Sequence, residues 1–339
     1  MKQDYPIIRT LIYRKHEQSH RTWQISLFSL IVLVLVGPVR AQRPAIESIA
    51  RQQRNKQLSK NPQTPYETIY YKSGDLNIEA YFYKPQGNGP FPLVIYNHGS
   101  RAGSERVEKP MQFIAAILVP QGCAVLVPER RGYGKSDGQT YGEEVGSDRG
   151  DLMMKRFREE AGDVLAGLEY LKRKEAETNF GRLKPGPTPI PIDFKRVALM
   201  GWSHGGVVSL LAASEQHEFL ALVNQAGGAL SWNSSPTLQR ELPAAARKIK
   251  VPALCMDAEN DATTNAVKTV GEAIKSSGAW EQTIIYPAFT PTSNPSNIAP
   301  GHLIFAQGVS IWQDDLLKFL KQAIVGKRQF LQQPKSFRK

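Results

Sequence analysis

The stretch RVALMGWSHGGVVSLLAAS (residues 196–214) decides the fold of this chain. An apolar run, a glycine-rich turn and a second apolar run follow one another, and the turn carries G-x-S-x-G with Ser203 at its centre. The motif alone is weak, because a chain of this length and ordinary composition shows it by chance about one time in ten. A strand, a sharp turn and a helix are, however, the context that a nucleophile elbow requires. We therefore predict that Ser203 projects its hydroxyl above a sheet as a nucleophile.

Strand-like and helical patterns alternate on both sides of this stretch. FPLVIYNHG (91–99) and CAVLVPERRGYG (123–134) are typical of strands buried on both faces, and a helical pattern lies between them. ETIYYKS and LNIEAYFYKP, joined by Gly-Asp, predict a preceding hairpin. Later strand-like runs are FLALVNQAG, VPALCMD and EQTIIYP, and later helical runs are TTNAVKTVGEAIKSS and VSIWQDDLLKFLKQAI. The alternation predicts an α/β fold with a mostly parallel sheet and helices on both faces.

Charge and composition argue against a nucleic-acid partner. The 339 residues carry 43 Lys and Arg against 31 Asp and Glu, a formal net charge of +12. Six of the basic residues lie within the first 41 positions, and the other charges are dispersed along the chain. Dispersed charge indicates a solvated surface and not a nucleic-acid-binding stripe. The basic residues 326–339 are expected to form a frayed terminal tail.

The N-terminal composition predicts a secretory signal peptide over residues 1–41. A basic segment precedes the apolar run ISLFSLIVLVLV (25–36), and small residues follow, with cleavage expected after Ala41. The apolar run is too short for a transmembrane helix, which needs about 20 residues. We therefore expect a secreted or periplasmic protein; an uncleaved, outward-facing anchor is the alternative and would be its one contact with a membrane. Residues 42–65 then form a linker and residues 66–325 the folded domain.

Cys123 and Cys255 are the only cysteines of the chain, and both lie beside apolar strand-like runs. Because their spacing does not match a metal-ligand motif, we predict no metal site there. Buried free thiols are preferred to a disulfide.

A serine nucleophile needs a base, and elimination among six histidines favours His302. Two of the others lie in the predicted signal peptide, one ends a strand and shapes its turn, one directly follows Ser203 and points along the helix, and one lies past that helix. In that order they are His16 and His20, His98, His204 and His217. His302 remains, in APGHLIFAQG after the last predicted strand.

The acid that orients this base is expected between the serine and the histidine if the chain order is Ser, Asp or Glu, then His. VPALCMDAENDATT offers two aspartates at the end of a strand. Asp261 is preferred, because Asp257 can simply cap the strand or begin a turn. Asp257 stays open as the alternative, and Glu259 is a weaker candidate.

The developing oxyanion needs backbone N–H donors beside the nucleophile. The amide of His204 lies at the positive end of the helix that follows Ser203 and is the first predicted donor. The second is the amide of Ser100 in NHGS, with Arg101 as a less favoured alternative.

The segments NHGS, PERRGYGKSDG, ALMGWSHGG, MDAEND and APGHLIF resemble, in order and spacing, the α/β-hydrolase superfamily. Within it they are most similar to the dienelactone-hydrolase-related and prolyl-oligopeptidase-like branch, over about residues 66–325. The resemblance implies an eight-stranded fold with Ser203, Asp261 and His302 as a catalytic triad. Two departures stand out: dienelactone hydrolases use a cysteine where Ser203 stands, and Ala258 replaces a common glycine. The resemblance further implies that Arg131 and Ser136 hold the strand-end loop by hydrogen bonds.

These patterns together predict an exported serine hydrolase that needs no metal or organic cofactor. The short connection between NQAGG and VPALC leaves no room for a large lid, which favours small or moderately sized carboxylic esters. A serine peptidase of prolyl-oligopeptidase-like type would share every catalytic residue and is the alternative. A non-catalytic binding protein on a hydrolase scaffold is the less favoured alternative, because candidates for all three triad members are present. A substrate role for the charged loop residues Arg130 and Glu143 is not favoured.

Overall fold

An eight-stranded sheet forms the centre of the computed structural model, which describes residues 63–180, 191–216 and 218–332. The strands are β1 (Glu67–Ser73), β2 (Leu76–Tyr83), β3 (Phe91–Asn97), β4 (Ala124–Glu129), β5 (Ile192–Trp202), β6 (Ala221–Gln225), β7 (Ala253–Ala258) and β8 (Glu281–Tyr286). They lie in the order β1-β2-β4-β3-β5-β6-β7-β8. β2 is antiparallel to both neighbours, and β3 to β8 are parallel. The predicted α/β fold with a mostly parallel sheet is confirmed.

Helices cover both faces of this sheet. They are α1 (Gln112–Leu118), α2 (Tyr141–Glu144), α3 (Asp151–Phe180), α4 (His204–Glu215), α5 (Pro236–Ala246), α6 (Asn265–Ser276), α7 (Ile304–Gln307) and α8 (Val309–Gln332). Three short 3-10 turns accompany them, at Val119–Gln121, Trp232–Ser234 and Pro300–Leu303. No large cap interrupts the described strands and helices, as expected.

Two hydrophobic cores lie on opposite sides of the sheet, because successive side chains of a strand point to opposite faces. In β3, Leu93 and Ile95 join the core under α3 to α6, whereas Val94 and Tyr96 join the core under α1 and α8. The central strands are therefore buried on both faces, which explains their continuous apolar sequences.

Two boundaries differ from the sequence-based expectation. β5 begins at Ile192, before the predicted run, because its first residue pairs with Phe91 across an irregularity in β3. α8 continues to Gln332, so residues up to that point are helical and not the frayed tail expected from residue 326. Several predicted features lie outside the described residues: the signal peptide (1–41), the linker up to residue 62, His217 and the tail residues 333–339.

Cys123 and Cys255 are buried free thiols, as predicted. Among the described residues there is no cluster of histidine, cysteine and acidic side chains that could hold a metal ion. Within those same ranges, none of the helices has the length and apolar character needed to cross a membrane.

Candidate active site

Ser203 occupies the sharp turn between β5 and α4, with φ 57° and ψ −120°. Positive φ is uncommon for a residue with a side chain and is tolerated where the surroundings hold it in place. The glycines of GWSHGG make the turn possible: a Cβ on Gly201 would lie 2.1 Å from the carbonyl oxygen of Gly205, and one on Gly205 would lie 2.0 Å from that of Asn97. The strand, the turn and the helix thus approach each other more closely than any side chain allows.

Gly205→Ala is expected to destabilise the fold by at least about 3 kcal/mol, because its methyl group would collide with backbone that cannot move without separating β3 from α4. Gly162→Ala is the matched control. A Cβ at Gly162, inside α3, meets nothing within 4 Å, so alanine should raise the free energy of unfolding by up to about 1 kcal/mol. Urea denaturation of both variants measures the difference, and equal stability of the two would contradict this account of the turn.

The structure brings Ser203, His302 and Asp261 together from three separate parts of the chain. Oγ of Ser203 lies 2.7 Å from Nε2 of His302, and Nδ1 of His302 lies 2.7 Å from Oδ2 of Asp261. Ser203 is 8% exposed and His302 1% exposed, so both hydrogen bonds are largely shielded from water. With Nδ1–H donating to Asp261, Nε2 is left to accept the serine proton. The arrangement can therefore activate a hydroxyl for nucleophilic attack.

The loop that carries His302 is fixed from two sides. Trp202, the last residue of β5, donates its indole N–H to the carbonyl oxygen of His302 at 3.1 Å, and its ring packs against the imidazole. On the other side, the amide of Gly301 donates to the carbonyl oxygen of Asn260 at 3.2 Å. A Cβ on Gly301 would lie 2.5 Å from the amide nitrogen of Asp261, so glycine is needed where the two loops meet. The base and the acid are thus held in register by backbone.

Of the three carboxylates considered for the acid, only Asp261 contacts the imidazole. Its second oxygen, Oδ1, accepts from the amide of Ala262 at 2.6 Å. Asp257 is buried at the end of β7 and accepts from the amide of Ala258 at 2.8 Å. Glu259 is exposed.

The two predicted oxyanion donors belong to backbone next to Ser203: His204 follows it in the chain, and Ser100 follows Gly99, which packs against it. His204 is the first residue of α4, so its amide points out of the helix N-terminus. The loop after β3 packs against the turn, because a Cβ on Gly99 would lie 3.4 Å from the Cβ of Ser203. Within the described ranges, the amides of Ser100 and His204 have no protein acceptor. Both are therefore free to receive an oxygen atom.

A buried ionic network behind these two amides was not predicted from the sequence. Glu160 of α3 lies 2.6 Å from Nε of Arg130, 2.8 Å from Nε of Arg156 and 2.6 Å from Nε2 of His204. Arg130 also donates to the carbonyl oxygen of His98 at 2.9 Å. Burial opposes ionisation of Glu160, but His204 and the two guanidinium groups hold its pKa well below the usual range. The network therefore connects the turn at Ser203 to the loop that precedes Ser100.

The structure also answers three sequence-based interpretations of residues in the loop after β4. Arg130 is fully buried, so its side chain is committed to the network and does not face a substrate. Arg131 binds the carboxylate of Asp163 through its amide and guanidinium. Ser136 accepts from the amide of Glu79 at 2.8 Å and donates to the carbonyl oxygen of Glu129. Both residues hold the loop after β4 by hydrogen bonds.

His98 makes the fold sensitive to acid. Burial, followed by the positive charges of Arg130 and Arg101, lowers its pKa to about 4, although Glu129 opposes the shift. As pH falls from about 6.5 to about 4, the unfolded chain gains a proton that the folded chain refuses. The contribution of His98 to stability is therefore complete above pH 6.5 and falls by up to about 3 kcal/mol through this window.

His98→Gln is expected to flatten that acid limb, because the glutamine side chain does not titrate. Chemical denaturation at several pH values between 4 and 7 measures it. If the native protein and the variant lose stability in parallel, the acid sensitivity has another source.

Comparison with known proteins agrees with the fold. A model of the X-Pro dipeptidyl-peptidase (S15) family matches residues 73–239. The quorum-quenching protein AidA of Acinetobacter baumannii (strain MDR-ZJ06) is 25% identical over 170 residues, which are 50% of this chain and 46% of that protein. This chain therefore spans less than half the length of that relative in the match.

Solved structures of a peptidase and an esterase share the architecture. The Pyrococcus furiosus esterase Pf2001 superposes with a TM-score of 0.52 at 19% identity, covering 79% of this chain and 94% of the esterase. The Pyrococcus horikoshii acylaminoacyl peptidase superposes with a TM-score of 0.51 at 16% identity, covering 84% of this chain and 45% of the peptidase. At these identities the structures show the fold alone. They therefore show that this chain shares the fold of that esterase and that peptidase.

Proposed function

We propose that this chain is a serine esterase that cleaves carboxylic esters of small to moderate size. The observation that carries the proposal is the chain of two 2.7 Å hydrogen bonds from Ser203 through His302 to Asp261, placed on a turn with positive φ. In this proposal Ser203 stands at a nucleophile elbow, His302 is the general base and Asp261 orients the imidazole.

The proposed acylation step moves one proton and exchanges one bond. Oγ of Ser203 attacks the ester carbonyl carbon while its proton passes to Nε2 of His302. The carbonyl oxygen becomes an oxyanion, for which the free amides of His204 and Ser100 are the donors. The tetrahedral intermediate then releases the alcohol, which takes the proton from Nε2, and the acyl group stays on Ser203.

Deacylation repeats these events with water. His302 removes a proton from the water molecule as its oxygen attacks the acyl carbon, and the bond to Oγ breaks. The proton returns to Ser203, and the carboxylic acid leaves. Asp261 keeps the imidazole in one tautomer through both halves and stabilises the imidazolium that forms twice.

The preference for small esters rests on what covers the site. Between β6 and β7 the chain contributes only the 3-10 turn Trp232–Ser234 and the helix α5. Such a short connection does not build the large lid that encloses long acyl chains.

A serine peptidase is the second candidate, and the family match favours it, since the matching model describes X-Pro dipeptidyl-peptidases. The same three residues would carry out amide cleavage, with the leaving amine accepting the proton from His302. Substrate preference therefore separates the two candidates.

Export is part of the proposal and rests on the N-terminal sequence alone. The basic segment and the apolar run of residues 25–36 have the composition of a signal peptide. Fractionation of expressing cells, with N-terminal sequencing of the exported product, tests it. A mature N-terminus at Gln42 is expected, and recovery of the uncleaved chain with the membranes would favour the anchor.

Substrate profiling tests the reaction. The purified protein is assayed with p-nitrophenyl acetate, butyrate and octanoate, and with Ala-Pro-p-nitroanilide and acylated amino-acid p-nitroanilides, with Ser203→Ala as the blank. We expect kcat/KM for acetate or butyrate to exceed that for every anilide by at least about 100-fold. A ratio reversed in favour of Ala-Pro-p-nitroanilide would identify the peptidase candidate instead.

A further inference from the structure

Asp257 is a buried carboxyl group that the proposed mechanism does not use. It is the last residue but one of β7 and has no exposed surface. Its Oδ1 accepts from the amide of Ala258, whereas its Oδ2 receives no hydrogen bond from any described residue. A buried carboxylate oxygen without a donor is costly, so its presence calls for an explanation.

The turn after β7 folds Asp261 back toward Asp257, because the amide of Asp261 donates to the carbonyl oxygen of Ala258 at 3.0 Å. The negative charge of Asp261 acts on Asp257 there. Two adjacent buried carboxyl groups do not both ionise, because like charges repel strongly where water is excluded. Asp261 receives two donors, the imidazole N–H of His302 and the amide of Ala262, which both favour its charged form. Asp257 receives one, from the amide of Ala258, and the positive charge of Lys268 of α6 acts on it less strongly than burial and Asp261. The shared proton therefore belongs on Asp257.

We propose that Asp257 keeps its proton in the folded protein and donates its Oδ2–H to a carboxylate oxygen of Asp261. The inference rests on the proposed function, because it extends the serine, histidine and Asp261 chain to a fourth residue. Burial, followed by the negative charge of Asp261, raises the pKa of Asp257 to about 9, with the Ala258 amide and Lys268 opposing. The group is therefore neutral at physiological pH.

In this arrangement Asp257 is a positioning residue that acts through Asp261. Its O–H bond anchors the Asp261 carboxylate, so that Oδ2 stays aimed at Nδ1 of His302. When pH rises through about 9, Asp257 becomes charged and its hydrogen bond to Asp261 is replaced by repulsion. The aim of Asp261 is then lost, and kcat is expected to fall on the alkaline side while KM stays unchanged.

The same proton links stability to pH. The folded-state pKa is raised above the unfolded value, so between about pH 4 and pH 9 the unfolded chain releases a proton that the folded chain keeps. This group therefore makes the native protein lose stability as pH rises through that window. Asparagine has nearly the same shape as a protonated aspartic acid, donates through its amide and does not titrate.

The deciding experiment compares the melting temperature of the native protein and Asp257→Asn from pH 5 to pH 9. We expect the melting temperature of the variant, relative to that of the native protein, to rise by about 2 °C for each unit of increasing pH. Glu259→Gln, a change of an exposed carboxyl group two positions further along the chain, should show no such trend. A constant difference between native protein and Asp257→Asn, or failure of this near-isosteric variant alone to fold at pH 7, would mean that Asp257 is ionised and would overturn the proposal. Asp257→Ser, a smaller neutral donor, provides a second measurement of the same trend.

Enzyme kinetics provide the second readout. Asp257→Asn should lower kcat about two- to tenfold, since an amide is a weaker donor to a carboxylate than a carboxylic acid, and should remove the alkaline fall near pH 9. An unchanged alkaline limb would contradict the positioning role. If the native protein hydrolyses none of the esters or anilides, the proposed function fails, but the melting-temperature trend still decides whether the pair of Asp257 and Asp261 holds a proton.

Discussion

Ser203→Ala is expected to lower kcat for p-nitrophenyl butyrate by about 10⁴-fold or more, with a folded protein and little change in KM. The serine Oγ is the atom that forms the acyl-enzyme bond in the proposed mechanism, so its removal closes the acyl-enzyme route. Residual turnover above the rate in water is still expected, because the free amides of His204 and Ser100 remain in place. Steady-state kinetics on the purified variant measure the loss.

The matched control for this change is Ser209→Ala, which removes a buried hydroxyl from α4, the helix that follows Ser203. Oγ of Ser209 accepts from the side chain of Asn97 at 2.9 Å, and His302 makes no contact with it. We expect a modest loss of stability and turnover within about threefold of the native protein, in line with one lost neutral hydrogen bond. Equal activity of Ser203→Ala and the native protein would remove Ser203 from the mechanism.

Asp261→Asn is expected to lower kcat by about 10³- to 10⁴-fold at neutral pH. In the native protein the Asp261 carboxylate accepts the Nδ1–H of His302 at 2.7 Å. An asparagine that turns its NH₂ toward the imidazole would place the proton on Nε2, where it blocks acceptance of the serine proton. Loss of the negative charge also removes the stabilisation of the imidazolium. The effect should fall on kcat, because Asp261 does not contact the ester.

Glu259→Gln is the control for the acid, since it makes the same chemical change two residues earlier on an exposed side chain. Its kinetics should match those of the native protein. If Glu259→Gln and Asp261→Asn lose activity equally, the loop and not the carboxylate is responsible, and the assignment of the acid is wrong.

The sequence predicted the parts of the site that short segments determine. The turn at Ser203 follows from local chemistry, because an apolar strand, three glycines and an apolar helix are contiguous. His302 followed by elimination, and the parallel sheet followed from the alternation of strands and helices. Each of these three inferences depends on a sequence pattern within a few residues or on the order of segments along the chain. None of them requires knowledge of how the segments pack.

What the sequence left open depended on tertiary distances. Asp257 and Asp261 are four residues apart at the end of one strand, and the packing of Gly301 against the acid loop brings the imidazole to Asp261. Glu160 gave no signal, because it lies within a helix, 44 positions from His204 and 30 from Arg130. Its role arises only when α3 packs beneath the turn.

Covalent trapping of the nucleophile tests the central claim most directly. The native protein is treated with a fluorophosphonate, digested, and the modified peptide is sequenced by mass spectrometry, with heat-unfolded protein as the control. We predict one phosphonylated residue, Ser203, in the folded protein and none after unfolding, because only the folded chain places His302 2.7 Å from its Oγ. Modification at another serine, or equal labelling of folded and unfolded protein, would contradict the account.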